Sequence, residues 1–180
     1  MVEELEQMST RVVYENRWLR VREDRTLRRD GREGIYGVVE KVDFCAIAAI
    51  DRGVMHLVEQ FRYPVGGRFW ELPQGSWESR PDADHAEVAR AELKEETGLS
   101  AGSMRYVAHL FLAYGFSTQG YHVYLASDLE AGDPALEDDE QGMVSRAFTL
   151  EEVEAMVCEG RIKDATTVAV LGLLKLKKLI

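Results

Sequence analysis

Short apolar runs rich in valine, isoleucine and aromatic residues, each closed by a turn signal, dominate the first sixty or so residues and predict strands before any helix. Arg11-Val12-Val13-Tyr14 and Leu19-Arg20-Val21-Arg22 are β-rich, and Arg29-Asp30-Gly31 is a hairpin signal ahead of Ile35-Tyr36-Gly37-Val38-Val39. Residues 11–40 therefore predict a small N-terminal antiparallel sheet, with residues 1–42 as one subdomain and 43–180 as the main domain. Phe44–Ile50 and Val54–Phe61 predict a second strand pair around the turn Asp51-Arg52-Gly53. Pro64, Gly66 and Gly67 make Tyr63–Arg68 a loop, and Phe69-Trp70-Glu71-Leu72-Pro73 is a short strand stopped by proline.

The period then changes. A helix is expected from Asp84, which with Glu87 has the spacing of a capping box, to Gly98, a good residue to end it. Strands are predicted at Met104–Leu112, Tyr121–Ala126 and Met143–Phe148, and helices at Leu150–Cys158 and Ala165–Lys178. Many strands and three helices predict an α/β fold with a mixed sheet packed between helices, not a doubly wound parallel one.

Composition narrows the partners. Apolar residues at 46% and charged residues at 30% fit one globular domain with a sizeable core. The net charge of -10 predicts no nucleic-acid partner, because duplexes are held mainly by Lys and Arg. A small anionic ligand stays open, since a bound cation and a few arginines supply local positive charge. The acidic start Met1–Glu6 has no apolar signal region, and Val168–Leu174 is far short of the roughly 20 residues that cross a bilayer. A cytoplasmic protein without a membrane partner is expected. Cys45 and Cys158, far apart in apolar surroundings, are expected to be buried reduced thiols.

The informative chemistry lies between Gly75 and Leu99. Glu92, Glu95 and Glu96 stand at i, i+3 and i+4 and share one helical face. Their mutual repulsion and their place at the C-terminal end of a helix dipole both oppose this arrangement. Taken alone, E-x-x-E-E reads as a solvated face. The Pro73-Gln74-Gly75 turn and Gly98 shift the balance, because a glycine turn beside clustered carboxylates offers the oxygen ligands that Mg²⁺ takes.

Glu92-Leu93, Glu95-Glu96 and Gly98-Leu99, with the lead-in Glu71-Leu72-Pro73-Gln74-Gly75, resemble the Nudix family, whose box reads G-x5-E-x7-R-E-U-x-E-E-x-G-U with U apolar. Two departures stand out. The interval from Gly75 to Gly98 is two residues longer than the pattern, with Pro81 where its first glutamate would fall, and Ala91 replaces its arginine. Arg90 points about 100° away from that position.

The resemblance implies a Nudix-type α/β/α sandwich and a Mg²⁺ site, with Mn²⁺ as the alternative, held by Glu92, Glu96 and the backbone of Gln74, with Glu95 as a supporting or catalytic carboxylate. It extends over most of the chain to the ADP-ribose pyrophosphatase-like branch. There, a loop carboxylate completes the site; Glu140 is the choice here, with Asp138 or Asp139 next. Substrate contacts are implied for Arg62, Glu71, Gly75, Trp77 and Ser117. Arg62 suits a phosphate because its fork binds two oxygens, and Trp77 could stack a base. His85, at the helix start, reads as solvated. The implied activity is hydrolysis of a nucleoside diphosphate linked to another group, ADP-ribose first, by a homodimer built on the N-terminal sheet. The alternatives are another nucleoside diphosphate sugar, or a non-catalytic sensor on the same fold.

Overall fold

A computed structural model describes residues 4–77, 79–80, 82–136 and 142–180. Strands β1 (Leu5–Glu15), β2 (Arg20–Arg28) and β3 (Glu33–Glu40) pair antiparallel in that order, as the hairpin signals predict. Two positions on the middle strand, Asp24 and Thr26, are buried. Arg22 pairs with both Asp24 and Glu40, and the side-chain hydrogen bond with Thr10 holds the Asp24 carboxyl below its ordinary pKa, helped by Arg22 and opposed by burial. Val12, Tyr14, Ile35 and Tyr36 remain exposed on this sheet.

The second sheet is organised by β4 (Phe44–Asp51), whose residues Cys45 to Ala49 are buried throughout. Side chains alternate across a strand, so β4 has to be covered on both faces. Cys45, Ile47 and Ala49 pack against Val88, Ala89 and Leu93 of helix α1 (His85–Thr97). Ala46 and Ala48 face a cluster with Val153 and Met156 of α2 (Leu150–Cys158) and Val170, Leu171 and Leu174 of α3 (Ala165–Leu176). This is the expected α/β/α sandwich.

Around β4 the strands are β5 (Val54–Arg62), β6 (Gly67–Glu71), β7 (Gln74–Gly75), β8 (Ser100–Phe111), β9 (Gly120–Glu130) and β10 (Val144–Thr149). The order is β10-β5-β4-β9-β8, with β6 on β5 and β7 on β4. β4 and β9 run parallel while the other pairs are antiparallel, which makes the sheet mixed. The two sheets are joined by backbone: Val39 N–H donates to Phe116 O at 2.8 Å and Thr118 N–H donates to Val39 O at 2.9 Å.

Helix α1 keeps its expected limits. The Asp84 side chain accepts from the N–H groups of Ala86 and Glu87, and Gly98 closes the helix at φ 74 with its N–H on Lys94 O. Two expectations are corrected. β8 begins at Ser100 instead of Met104, because β9 pairs with it as far as Glu130, and that ladder carries the weakly strand-forming Ala101-Gly102-Ser103. Cys158 is exposed, not buried, since α2 turns Val153 and Met156 to the core and leaves its last residue outside.

Candidate active site

Glu92 and Glu96 do not form a solvated face. They are 7% and 2% exposed, on the side of α1 that leans over β7. Val88 and Leu93 contribute about 1.5–3 kcal/mol each by burial. Taking a carboxylate out of water costs several kcal/mol per ion, so packing does not account for two buried glutamates on this helix. Glu95, between them in sequence, is half-buried.

The turn above them is fitted to the carboxylates. Gln74 N–H donates to Glu96 Oε2 at 3.1 Å. A Cβ on Gly75 would stand 2.2 Å from Glu92 Oε2, so only glycine leaves room for that carboxylate. Behind the turn, Ile47 N–H donates to Pro73 O, and Leu72 N–H donates to Thr167 Oγ1, both at 2.9 Å. Thr167 Oγ1 donates in turn to Asp164 Oδ2 at 2.7 Å, the residue that caps α3. Two buried carboxylates and a peptide turn make an all-oxygen donor set, which fits a hard divalent cation and not a soft one.

Arg62 and Glu71 come together. Arg62 Nε donates to Glu71 Oε2 at 3.2 Å, and Nη2 approaches Oε1 at 2.7 Å without hydrogen-bond alignment. Burial pushes the Glu71 carboxyl above its ordinary pKa, and Arg62 opposes the shift. The Arg62 side chain stays 40% exposed, with N–H donors beyond those that face Glu71. Arg90 donates to Ala101 O at 2.6 Å on the outer flank of α1, away from position 91.

Trp77 and Ser117 have their own surroundings. Trp77 packs beside the Cys45–Val88 cluster, with the Arg80 guanidinium 4.8 Å from its ring. It lines a cavity of about 30 Å³ with Asp43, Cys45 and His85, room for about one water. Cys45 itself is no thiolate, since burial and the charge of Glu92 push its pKa up to about 12. Ser117 Oγ accepts from Gln119 N–H at 3.2 Å in the loop that meets β3. Glu140, with Asp138 and Asp139, lies outside the described residues.

One cluster was missed. Asp43, His109 and His122 place their ligand-type atoms within 4.8 Å of one another, and His85, exposed as expected, stacks on His122 at 3.7 Å. The signal was available in the β8–β9 register, which sets His109 directly opposite His122. Burial, then the neighbouring His85 and His109, lower the pKa of His122, and Asp43 opposes them.

A mixed sheet between helices, with a carboxylate helix closed under a glycine turn, is the architecture of a Nudix domain. Residues 40–168 match the NUDIX domain model, and the chain belongs to that family. Residues 6–39 match the nucleoside diphosphate sugar hydrolase N-terminal domain, which narrows the branch. Over 134 residues the chain is 36% identical to an ADP-ribose pyrophosphatase of Mycobacterium tuberculosis, covering 73% of this chain and 64% of that enzyme, less than two thirds of its length. It is also 32% identical to a GDP-mannose pyrophosphatase of Yersinia enterocolitica, over 68% of this chain and 70% of that one. The crystal structure of an ADP compounds hydrolase shares the fold, with a TM-score of 0.85 at 17% identity over 97% of this chain and 94% of that chain.

Proposed function

We propose that the chain is a Mg²⁺-dependent pyrophosphohydrolase of nucleoside diphosphate sugars, and that ADP-ribose, cleaved to AMP and ribose 5-phosphate, is its substrate. The observation that carries this reading is the pair of buried carboxylates, Glu92 and Glu96, beneath a turn where Gly75 has no room for a side chain. The likeness to an ADP-ribose pyrophosphatase supports the choice of sugar nucleotide.

Glu92, Glu96 and the backbone of Gln74 would hold the cation, which when bound neutralises the diphosphate and makes a water acidic. Arg62, steadied by Glu71, grips a phosphate oxygen through its outward donors. Glu140 or Glu95 accepts the proton of the attacking water. The water oxygen bonds to one phosphorus in line, the bridging P–O bond breaks, and the second phosphate leaves as a monoester. Ser117, in the loop tied to β3, is assigned to the substrate-binding residues by the family resemblance alone. The exposed Val12, Tyr14, Ile35 and Tyr36 support a two-fold dimer through the N-terminal sheet.

A second reading, GDP-mannose as substrate, is favoured by the likeness to the GDP-mannose enzyme. A hydrolysis screen with Mg²⁺ over ADP-ribose, GDP-mannose and other nucleoside diphosphate sugars, reading the nucleoside monophosphate released, tests both. AMP from ADP-ribose at the highest kcat/KM is the expected result. Release of no monophosphate from any of them would overturn the enzyme in favour of a sensor, a role that the replacement of the box arginine by Ala91 would allow.

A further inference from the structure

We propose that Asp43, His109 and His122 form a second metal site, which takes a borderline transition-metal ion, Zn²⁺, and not Mg²⁺. The donor set is two imidazoles and one carboxylate, a combination that Zn²⁺ accepts with its fourth position left to water. It differs in kind from the oxygen ligands on α1 and lies at the other end of that helix, beside His85.

The spacing fits one ion. Donors about 2.0–2.1 Å from a tetrahedral Zn²⁺ stand about 3.3 Å apart. Asp43 Oδ2 is hydrogen-bonded to His109 Nε2 at 2.7 Å and is 3.8 Å from His122 Nε2, and all three ligand atoms lie within 4.8 Å of one another, so side-chain rotation of the two imidazoles brings them to one centre. The longer gap exceeds a hydrogen bond. His122 Nδ1 is buried without a hydrogen-bond partner among the described residues. His122 thus directs Nε2 at Asp43 Oδ2 across 3.8 Å, and its Nδ1 has to find water for its proton when Nε2 ligates an ion.

The surroundings hold the three groups in place. Asp43 Oδ1 accepts the Gly120 N–H at 2.7 Å, which turns Oδ2 toward the rings. Gly120 itself cannot carry a side chain, because its Cβ would stand 2.3 Å from His109 Nε2. His85 covers one face of His122, with the ring planes 20° apart. Asp43 and His109 are about one third exposed, so an ion and its water have access from solvent. Asp43 follows β3, and Gly120 follows the loop that pairs with Val39, so a bound ion would staple the junction of the two sheets.

The test uses the whole chain in saturating Mg²⁺, which occupies the α1 carboxylates, and does not depend on the reaction proposed above. Titration with Co²⁺ should give one equivalent of visible absorption with the intensity of a four-coordinate nitrogen–oxygen site, bleached by Zn²⁺, and Zn²⁺ should raise Tm. His109 is exposed, so His109→Ala spares the core. It should weaken Co²⁺ binding by more than about 100-fold, above the range for loss of an outer-shell partner. Glu96→Gln should leave the band in place. Absence of an equimolar band, a band unchanged in His109→Ala, or a band lost only in Glu96→Gln would each overturn the proposal.

Discussion

Replacing Gly75 by alanine is expected to disable the site while sparing the fold. The new Cβ would stand 2.2 Å from Glu92 Oε2, 2.4 Å from Cδ and 2.7 Å from Oε1, so the whole carboxylate is in its way. To restore an ordinary contact of 3.4 Å the carboxylate has to retreat by about 1.2 Å, and a side chain only 7% exposed has little free space to retreat into. Overpacking of this kind costs about 1–3 kcal/mol. A ligand moved by about 1 Å loses on the order of 10²-fold in rate. The assay is Mg²⁺-dependent release of AMP from ADP-ribose, with a thermal melt to confirm folding. Gly37→Ala is the matched control, because nothing lies within 4 Å of its Cβ. Wild-type kcat in Gly75→Ala, with an unaltered Mg²⁺ dependence, would refute the assignment of Glu92.

Glu96→Gln keeps the shape of a 2%-exposed side chain and its acceptor for Gln74 N–H, so it should abolish metal-dependent turnover with circular dichroism unchanged; turnover surviving at limiting Mg²⁺ contradicts the box. Glu140→Gln should lower kcat by about 10²-fold with little change in substrate affinity, and the same loss in Asp138→Asn or Asp139→Asn instead moves the loop carboxylate to that position. Light scattering at micromolar concentration should report a dimer, and Ile35→Asp, at a side chain 68% exposed, should shift it to monomer; a wild-type monomer refutes the N-terminal interface. Asp24 has a folded pKa below 3.8, so its contribution is full above 3.8 and is lost as pH falls through the folded value. Melts at pH 5 and pH 3 should therefore show a larger acid-induced fall in Tm for the wild type than for Asp24→Asn, and equal falls would count against this account.

The carboxylate helix could be read from sequence because its signals are local. Asp84, Gly98 and the i, i+3, i+4 glutamates each fix geometry within a turn or two. Burial of Glu92 and Glu96 could not be read that way, since it depends on β7 crossing above α1, a contact between distant segments. Trp77 shows the same limit: its packing beside Cys45 and Val88 is a tertiary fact that the loop sequence does not announce. The histidine cluster fell between the two cases. Its register follows from the β8–β9 pairing, but Asp43 joins it only because β4 and β9 run parallel, a pairing that no turn in the sequence announces.

The hydrogen bond from Leu72 to Thr167 spans 95 positions, and it sets an order of events during synthesis. At about 5–20 residues per second, roughly 5–20 s pass between translation of the Glu71-Leu72-Pro73 turn and appearance of the hydroxyl that anchors it. Through that interval the carboxylates of α1 are already made while the lip above them has only the Ile47 bond behind it. A ribosome-bound chain halted before Thr167 should therefore leave Leu72 N–H open to rapid hydrogen exchange, and release of the next residues should close it. On the metal site proposed above, competence would thus be acquired late, with the last helix and not with the helix that bears the carboxylates.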